Sequence, residues 1–317
     1  MKRLTNAVGL LIAALGVGFV IRELARQRDE VLAAVSGATP ARLIVALLLG
    51  LGAMCTIGLA WRRCLRVLGH RRGVADTLRR YFVGQLGKYV PGGIWPVVGR
   101  AEMARRGGVP GAAAYGSTLL SLGLTYLAAV LMVLLALLSG PGGGRQVAWQ
   151  PIVLLLPAGL TILHPRILGL ILGGLRKLSR RELDVPVPRW GVSVTLLLVH
   201  LPAWLAISIA TWLVAYAMSG TPPDLRNLIF ATTLSWLVGF LAVPVPGGIG
   251  VREAVFVAAA TSLPSTGLAA AVALVSRVLF ILVDLTGAAV TSLLPRDNAA
   301  GTPTDRFRDP EYPDRGD

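Results

Sequence analysis

Five ionisable side chains sit inside or at the edge of long apolar stretches: Lys88, Arg252, Glu253, Arg277 and Asp284. An ionised group at the centre of a bilayer costs about 2.5–3.5 kcal/mol by insertion scales, so a residue of this kind has either a partner or a task. Their positions relative to one repeated motif suggest the task. Lys88 precedes Pro91, Gly92 and Gly93 within the pentapeptide context Val90-Pro91-Gly92-Gly93-Ile94, and Arg252 and Glu253 follow the second copy, Val245-Pro246-Gly247-Gly248-Ile249, and its Gly250. Glu102 and Arg105 follow the first copy at a greater distance. Proline has no backbone N–H and glycine accepts angles that other residues refuse, so each copy breaks a helix. A helix restarting after such a break presents free N–H groups and a positive dipole end, which suits phosphate or carboxylate. The glycines also let a bulky headgroup approach the main chain.

The chemistry expected of this set is recognition of a charged headgroup. Arg252 and Arg277 would serve as counter-charges, and Lys88, Glu102, Arg105, Glu253 and Asp284 would complete a polar track. A plainer reading stays open beside it. Pro-Gly-Gly can be a simple loop between short spans, and the charges can be ion pairs that lock helices together. Arg277 and Asp284, seven residues and two turns apart, share a helix face and could pair through an intervening group. No Gly-x-Ser-x-Gly, His-Glu-x-x-His, Walker A or Asp-rich pyrophosphate motif is present. Two cysteines and three scattered histidines make neither a disulfide framework nor a metal cluster, so no catalytic residue, metal or cofactor is expected.

The elements that must position these residues are membrane helices. Mean hydropathy is +0.68. Hydrophobic residues make up 54% of the chain and charged ones 15%, against about 25% in an ordinary soluble domain. Apolar runs of spanning length occur at Leu4–Ile21, Leu43–Trp61, Ala112–Ser139, Val147–Leu163, Gly191–Ser219 and Gly267–Pro295. Met1-Lys2-Arg3 resembles a signal-peptide start, but no clear cleavage site follows, and the first run reads as a retained helix. Trp61, Trp95, Trp149, Trp190 and Trp204 are expected mostly as interfacial anchors, and His200 beside Pro202 as a contact at a helix kink.

The net charge of +15 could suggest nucleic acid, but its distribution says otherwise. Segments 2–3, 62–80, 100–106 and 176–189 hold 17 Lys or Arg, while 22–42, 140–146 and 219–227 hold 6. That asymmetry places the first group and both termini in the cytoplasm. Attraction to anionic lipid headgroups is a secondary consequence. The Ala/Gly/Val/Arg-rich composition, with three lysines, fits a high-GC bacterium and hence its inner membrane.

The two motifs lie 155 residues apart, and this offset carries Ala112–Ser139 onto the last apolar run and Leu43–Trp61 into Gly191–Ser219. The chain is therefore expected to be an all-α polytopic membrane protein. Its domain, 1–295, would hold repeat halves at about 1–140 and 147–295, with six full spans and two re-entrant or broken elements. Three crossings per half make the second half inverted. Residues 296–317, with Pro303, Pro310 and Pro313 among charged neighbours, are expected to be a disordered cytoplasmic tail.

At the two motifs the sequence resembles a known family. Gly87-Lys88-Tyr89-Val90-Pro91-Gly92-Gly93-Ile94-Trp95 and Pro244-Val245-Pro246-Gly247-Gly248-Ile249-Gly250-Val251-Arg252-Glu253-Ala254 are similar to the signatures of the lysylphosphatidylglycerol synthase transmembrane-region, or flippase-like, family. Arg277 sits where that family carries an arginine in a late helix. The first motif departs from the family's commoner Gly-acidic-x-x-Arg ending, having Gly99-Arg100-Ala101-Glu102. The resemblance implies a stand-alone member, without the soluble aminoacyl-transferase domain, that moves a lipid with a charged headgroup between leaflets. Two rival functions remain: a membrane-embedded lipid or polyprenyl transferase using Glu253 or Glu102 as base, and a non-catalytic partner of a glycosyltransferase or synthase. Membrane lipids, anionic or polyprenyl-phosphate in type, are the expected partners.

Overall fold

A computed structural model of the chain describes residues 28–90, 93–138, 161, 166, 188–241 and 250–294. The expected spans Leu4–Ile21 and Val147–Leu163, the tail 296–317, and Pro91, Gly92, Pro246, Gly247 and Gly248 lie outside the described residues.

The described residues are helical without a strand. Among the described residues four helices are long and apolar enough to cross a membrane: α2 (Pro40–Val67), α5 (Gly111–Leu138), α6 (Trp190–Ser219) and α9 (Thr266–Leu293). At 1.5 Å per residue each is about 42–45 Å long, more than the ~30 Å hydrocarbon core. Local signals set their ends. Pro40 occupies the first turn of α2, where a missing N–H costs nothing. The Ser265 hydroxyl accepts the Leu268 N–H at the start of α9, and Gly220 closes α6 at φ 72°. Between them lie a short helix α1 (Arg28–Val35), against α9, and two broken hairpins.

The first hairpin runs through α3 (Val74–Gln85), a 3-10 turn at Leu86–Tyr89 and α4 (Trp95–Arg106). Arg72 Nη2 donates to the Gly107 carbonyl at 2.5 Å, and Arg80 donates to Met103, so the hairpin's two ends lie together. Its leading arm comprises the 12 residues of α3 and the 4 of the 3-10 turn. Most of segment 62–80 is helix, with α2 running to Val67 and α3 starting at Val74.

The second hairpin pairs α7 (Leu225–Leu241) with α8 (Val251–Ala259). Asn227 ties its ends, donating to the Ala259 carbonyl at 3.0 Å and accepting from the Ser262 N–H at 3.0 Å. The return arm is about 14 Å long, too short to cross a bilayer.

Helices α2 and α6 pack along each other and run antiparallel. Thr39 N–H reaches the Ala217 carbonyl at 3.2 Å, and the Arg42 guanidinium lies 3.5 Å from the centre of the Tyr216 ring. Helix α5 turns a stripe of Ser117, Ser121 and Thr125, four residues apart, toward them. The Trp61 indole donates to Ser117 Oγ at 3.3 Å and the Trp204 indole to the Thr125 carbonyl at 2.7 Å. Both tryptophans are thus core residues and not interfacial anchors, because a buried N–H with a partner removes the reason to stay wet. His200 is a helix contact, as expected, with Nδ1 2.7 Å from the Leu196 carbonyl and Nε2 3.5 Å from Ser121 Oγ.

Helix α9 packs against α2, α3, α6 and α8. Its approach to α3 depends on Gly287, where a Cβ would occupy the space of the fully buried Phe82 ring. Gly287→Val is expected to lower the melting temperature in detergent, an overpacking loss of about 1–3 kcal/mol. Gly123→Ala, with nothing within 4 Å of the added methyl, is the control and should melt as wild type or slightly higher. Equal melting of the Gly287 variant and wild type would contradict this packing.

Candidate functional site

Both hairpins are built on one local plan. On each leading arm an aromatic residue is followed three positions later by a glycine: Tyr81 and Gly84 in the first, Trp236 and Gly239 in the second. An arginine of the return arm lies against the glycine. A Cβ on Gly84 would come 3.2 Å from Arg100 Cβ, and one on Gly239 would come 3.0 Å from Arg252 Cβ. With no side chain in the way, the guanidinium reaches the aromatic ring, at 4.6 Å from the Tyr81 centroid for Arg100 and 3.8 Å from the Trp236 centroid for Arg252. Cation–π attraction of this kind strengthens when water is excluded. Gly93 (φ 65°) and Gly250 (φ 80°) hold left-handed angles at the restart of each return arm, which explains glycine at those two positions.

The two hairpins meet on α9. Asp284, almost fully buried, accepts the Tyr89 hydroxyl at 2.6 Å and pairs with Lys88 Nζ at 2.5 Å, both on the same Oδ2. Seven residues earlier, Arg277 donates to Glu253 Oε1 at 3.2 Å, while Glu253 Oε2 accepts the Gly250 N–H at 2.6 Å and so caps the first turn of α8. Arg277 and Asp284 do share a face of α9, but they do not pair with each other. Each holds one hairpin, because an oppositely charged partner on another helix comes closer than seven residues along the same one. Trp236 stands where these parts converge, with Lys88 Nζ 5.9 Å and the Phe280 ring 5.1 Å from its own ring.

A narrow cleft opens between α7, α8 and α9, lined by Thr232, Ser235, Trp236, Arg252, Glu253 and Ser276. Only about 10 Å³ of it accepts a water-sized sphere, about one water molecule. Three polar groups of its wall are buried with no hydrogen-bond partner among the described residues: Thr232 Oγ1, Trp236 Nε1 and Ser276 Oγ. The charges around it do not cancel. Lys88 pairs with Asp284 and Arg277 with Glu253, which leaves the Arg252 guanidinium with no carboxylate among the described residues. Surplus positive charge next to N–H and O–H donors has the chemistry to pair with an anion rich in acceptor oxygens. Among the described residues no three His, Cys, Asp or Glu side chains come together as metal ligands would.

Of the residues singled out in the sequence, Lys88, Gly250, Arg252, Glu253, Arg277 and Asp284 are brought together at this junction. Glu102 and Arg105 are not. They pair with each other at 2.7 Å at the far end of α4, where Glu102 also holds Arg106 at 3.0 Å. Gly93 begins the return arm of the first hairpin. Arg100, counted in the sequence among cytoplasmic loop charges, is 4% exposed and bonded to Gln85 Oε1 at 3.1 Å. Trp236 and Tyr89 were missed. Their signal was available only as an aromatic before a glycine and a tyrosine after a lysine, which many helices share.

The fold is that of a helical membrane protein with two broken hairpins docked on a common last helix. The chain matches the family model described as the lysylphosphatidylglycerol synthase TM region over residues 6–287, and it belongs to that family. This is a membrane domain, compatible with a lipid-related membrane function. A search of curated proteins finds no match.

Two measurements follow from the geometry. Lys88→Met leaves the buried Asp284 carboxylate without its cation and should destabilise the protein by about 3–5 kcal/mol. Adding Asp284→Leu should recover much of that loss, so a double-mutant cycle on melting gives a coupling energy, and additive losses would disprove the pair. The Arg105 hydrogen bond, opposed by burial and reinforced by Arg106, holds the Glu102 carboxyl down at about 2. A depressed carboxyl stabilises the fold above its ordinary value of 4.5 and loses that contribution as pH falls toward about 2. Glu102→Gln should flatten the melting profile over that interval, and an unchanged slope would remove Glu102 as its source.

Proposed function

We propose that the protein is a bacterial inner-membrane lipid translocase of the flippase-like kind. It would take a lipid whose headgroup carries phosphate and pass it between leaflets through the junction of the two hairpins. The observation that supports this most directly is the uncompensated Arg252 guanidinium beside the unpartnered Thr232, Trp236 and Ser276 donors. A phosphate supplies both the missing charge and the missing acceptors. Lys88, Glu253, Arg277 and Asp284 then act by holding the two hairpins on α9.

We infer an inverted repeat as well, which would support the same reading. An offset of 155 residues carries Gly111–Leu138 onto Thr266–Leu293 residue for residue. It carries Val74–Gln85 into Leu225–Leu241 and Trp95–Arg106 onto the region of Val251–Ala259. The last helix of each half packs against the leading arm of the other half's hairpin. Residues 62–80 and 100–106 share one end of α2, and the segments flanking Thr39 and Ala217 share the other. That grouping agrees with both termini on the cytoplasmic side. Rocking of one half against the other would widen the narrow cleft toward each leaflet in turn.

Leaflet exchange of labelled lipids in proteoliposomes tests this proposal. Wild type should accelerate exchange of phosphate-bearing lipids over empty liposomes. Removing one charged hydrogen-bonding group, worth about 1.5–3 kcal/mol, should slow it by about tenfold or more in Arg252→Ala. Exchange as fast in a folded Arg252→Ala as in wild type would remove the site from the mechanism. No acceleration for any lipid would favour a transferase or a partner role instead.

A further inference from the structure

A second basic feature lies at the end of α2, apart from the hairpin junction. Arg62 and Arg66, one turn apart on the last turns of α2, and Arg71 in the loop 68–73 bound an open pocket of about 360 Å³. Among the described residues no acidic side chain lines it. Three neighbouring cations, Arg72, Arg79 and Arg80, are engaged. Arg79 and Arg80 pair with Asp76 at 2.9 and 2.8 Å. Arg72 donates to the Gly107 carbonyl, and Arg62 Nε donates to the Arg72 carbonyl at 2.6 Å. The carbonyls ending α2 accept from main-chain N–H groups of Leu68, Gly69 and His70, so they do not hold Arg66. Among the described residues the guanidinium of Arg66, that of Arg71 and the terminal nitrogens of Arg62 meet no acceptor.

Three cations facing one cavity repel each other unless an anion sits between them. The requirement that basic residues lie on one side of a membrane explains their number here but not their convergence. Arg63, on the same turn and exposed, satisfies that requirement without lining the pocket. A guanidinium presents a planar fork of N–H groups that matches two oxygens of a phosphate. Arg62 is already oriented by its bond to the Arg72 carbonyl, so one wall of the pocket is preset.

We propose that the pocket formed by Arg62, Arg66 and Arg71 binds a phosphate group, belonging either to an acidic phospholipid of the adjacent leaflet or to a free phosphate in solution. This site is separate from the hairpin cleft, and it stands whether or not the protein translocates lipid.

The test uses the full chain in nanodiscs of phosphatidylcholine. In one arm phosphatidic acid is added, and lipid retained on the protein is counted by native mass spectrometry. In the other, inorganic phosphate is titrated into neutral nanodiscs at constant ionic strength, and binding is read from the rise in melting temperature. Binding is expected in at least one arm. It should weaken by more than about tenfold in Arg66→Gln/Arg71→Gln, since each substitution removes charged hydrogen bonds to the phosphate. Arg63→Gln should bind as wild type. Retention of phosphatidic acid alone identifies the lipid as the source, a response to inorganic phosphate alone identifies the soluble anion, and a response in both arms means the phosphate is recognised whatever carries it. Binding in neither arm overturns the proposal. Equal loss in Arg63→Gln and the double variant also overturns it, since ordinary surface charge would then suffice. Melting of the ligand-free double variant checks its folding, and Arg66→Gln alone serves if that variant is unstable.

Discussion

A helix broken inside a membrane leaves main-chain groups and charges where water cannot reach them, and this chain breaks two. Everything around the breaks answers that cost. Asp284 collects both the Lys88 ammonium and the Tyr89 hydroxyl from the first hairpin on one oxygen. Glu253 caps its own helix with one oxygen and receives Arg277 with the other. Helix α9 is therefore the common anchor, with a carboxylate for one hairpin and a guanidinium for the other. Losing either anchor would strand a buried charge, which costs more than the pair itself contributes.

Packing makes these short contacts reachable. Gly287 lets α9 approach Phe82, and Gly84 and Gly239 let the return arms lie close enough for an arginine to cover an aromatic ring. The same device in both hairpins has different consequences. Arg100 is enclosed by Tyr81, Trp61 and Gln85 and is nearly inaccessible. Arg252 borders a cleft with unused donors around it. One arginine has become part of the core, while the other keeps an open side. The buried Ser117, Ser121 and Thr125 stripe on α5 serves packing alone, because its partners are the indoles and imidazole of the neighbouring helices.

Much of this was legible in the residue order. Apolar runs marked α2, α5, α6 and α9, since a bilayer demands about 20 apolar residues per helix whatever the fold. Gly93 and Gly250 marked the restart of each return arm, because glycine's conformational freedom acts on the local backbone. Ionisable residues in apolar surroundings marked Lys88, Arg252, Glu253, Arg277 and Asp284, because their desolvation cost does not depend on who pairs with whom. What the order of residues could not decide was partnership and burial. Arg277 and Asp284 look like each other's partners on a helical wheel, yet each pairs with a helix brought alongside by packing. Arg100 and Arg105 look alike five residues apart, but one faces the bundle and the other the surface. Local chemistry determined where helices stop and which charges are costly. Only the assembled bundle decided which of those charges are paired, which tryptophans are buried and which guanidinium borders the cleft, since each of these depends on a neighbour distant in sequence.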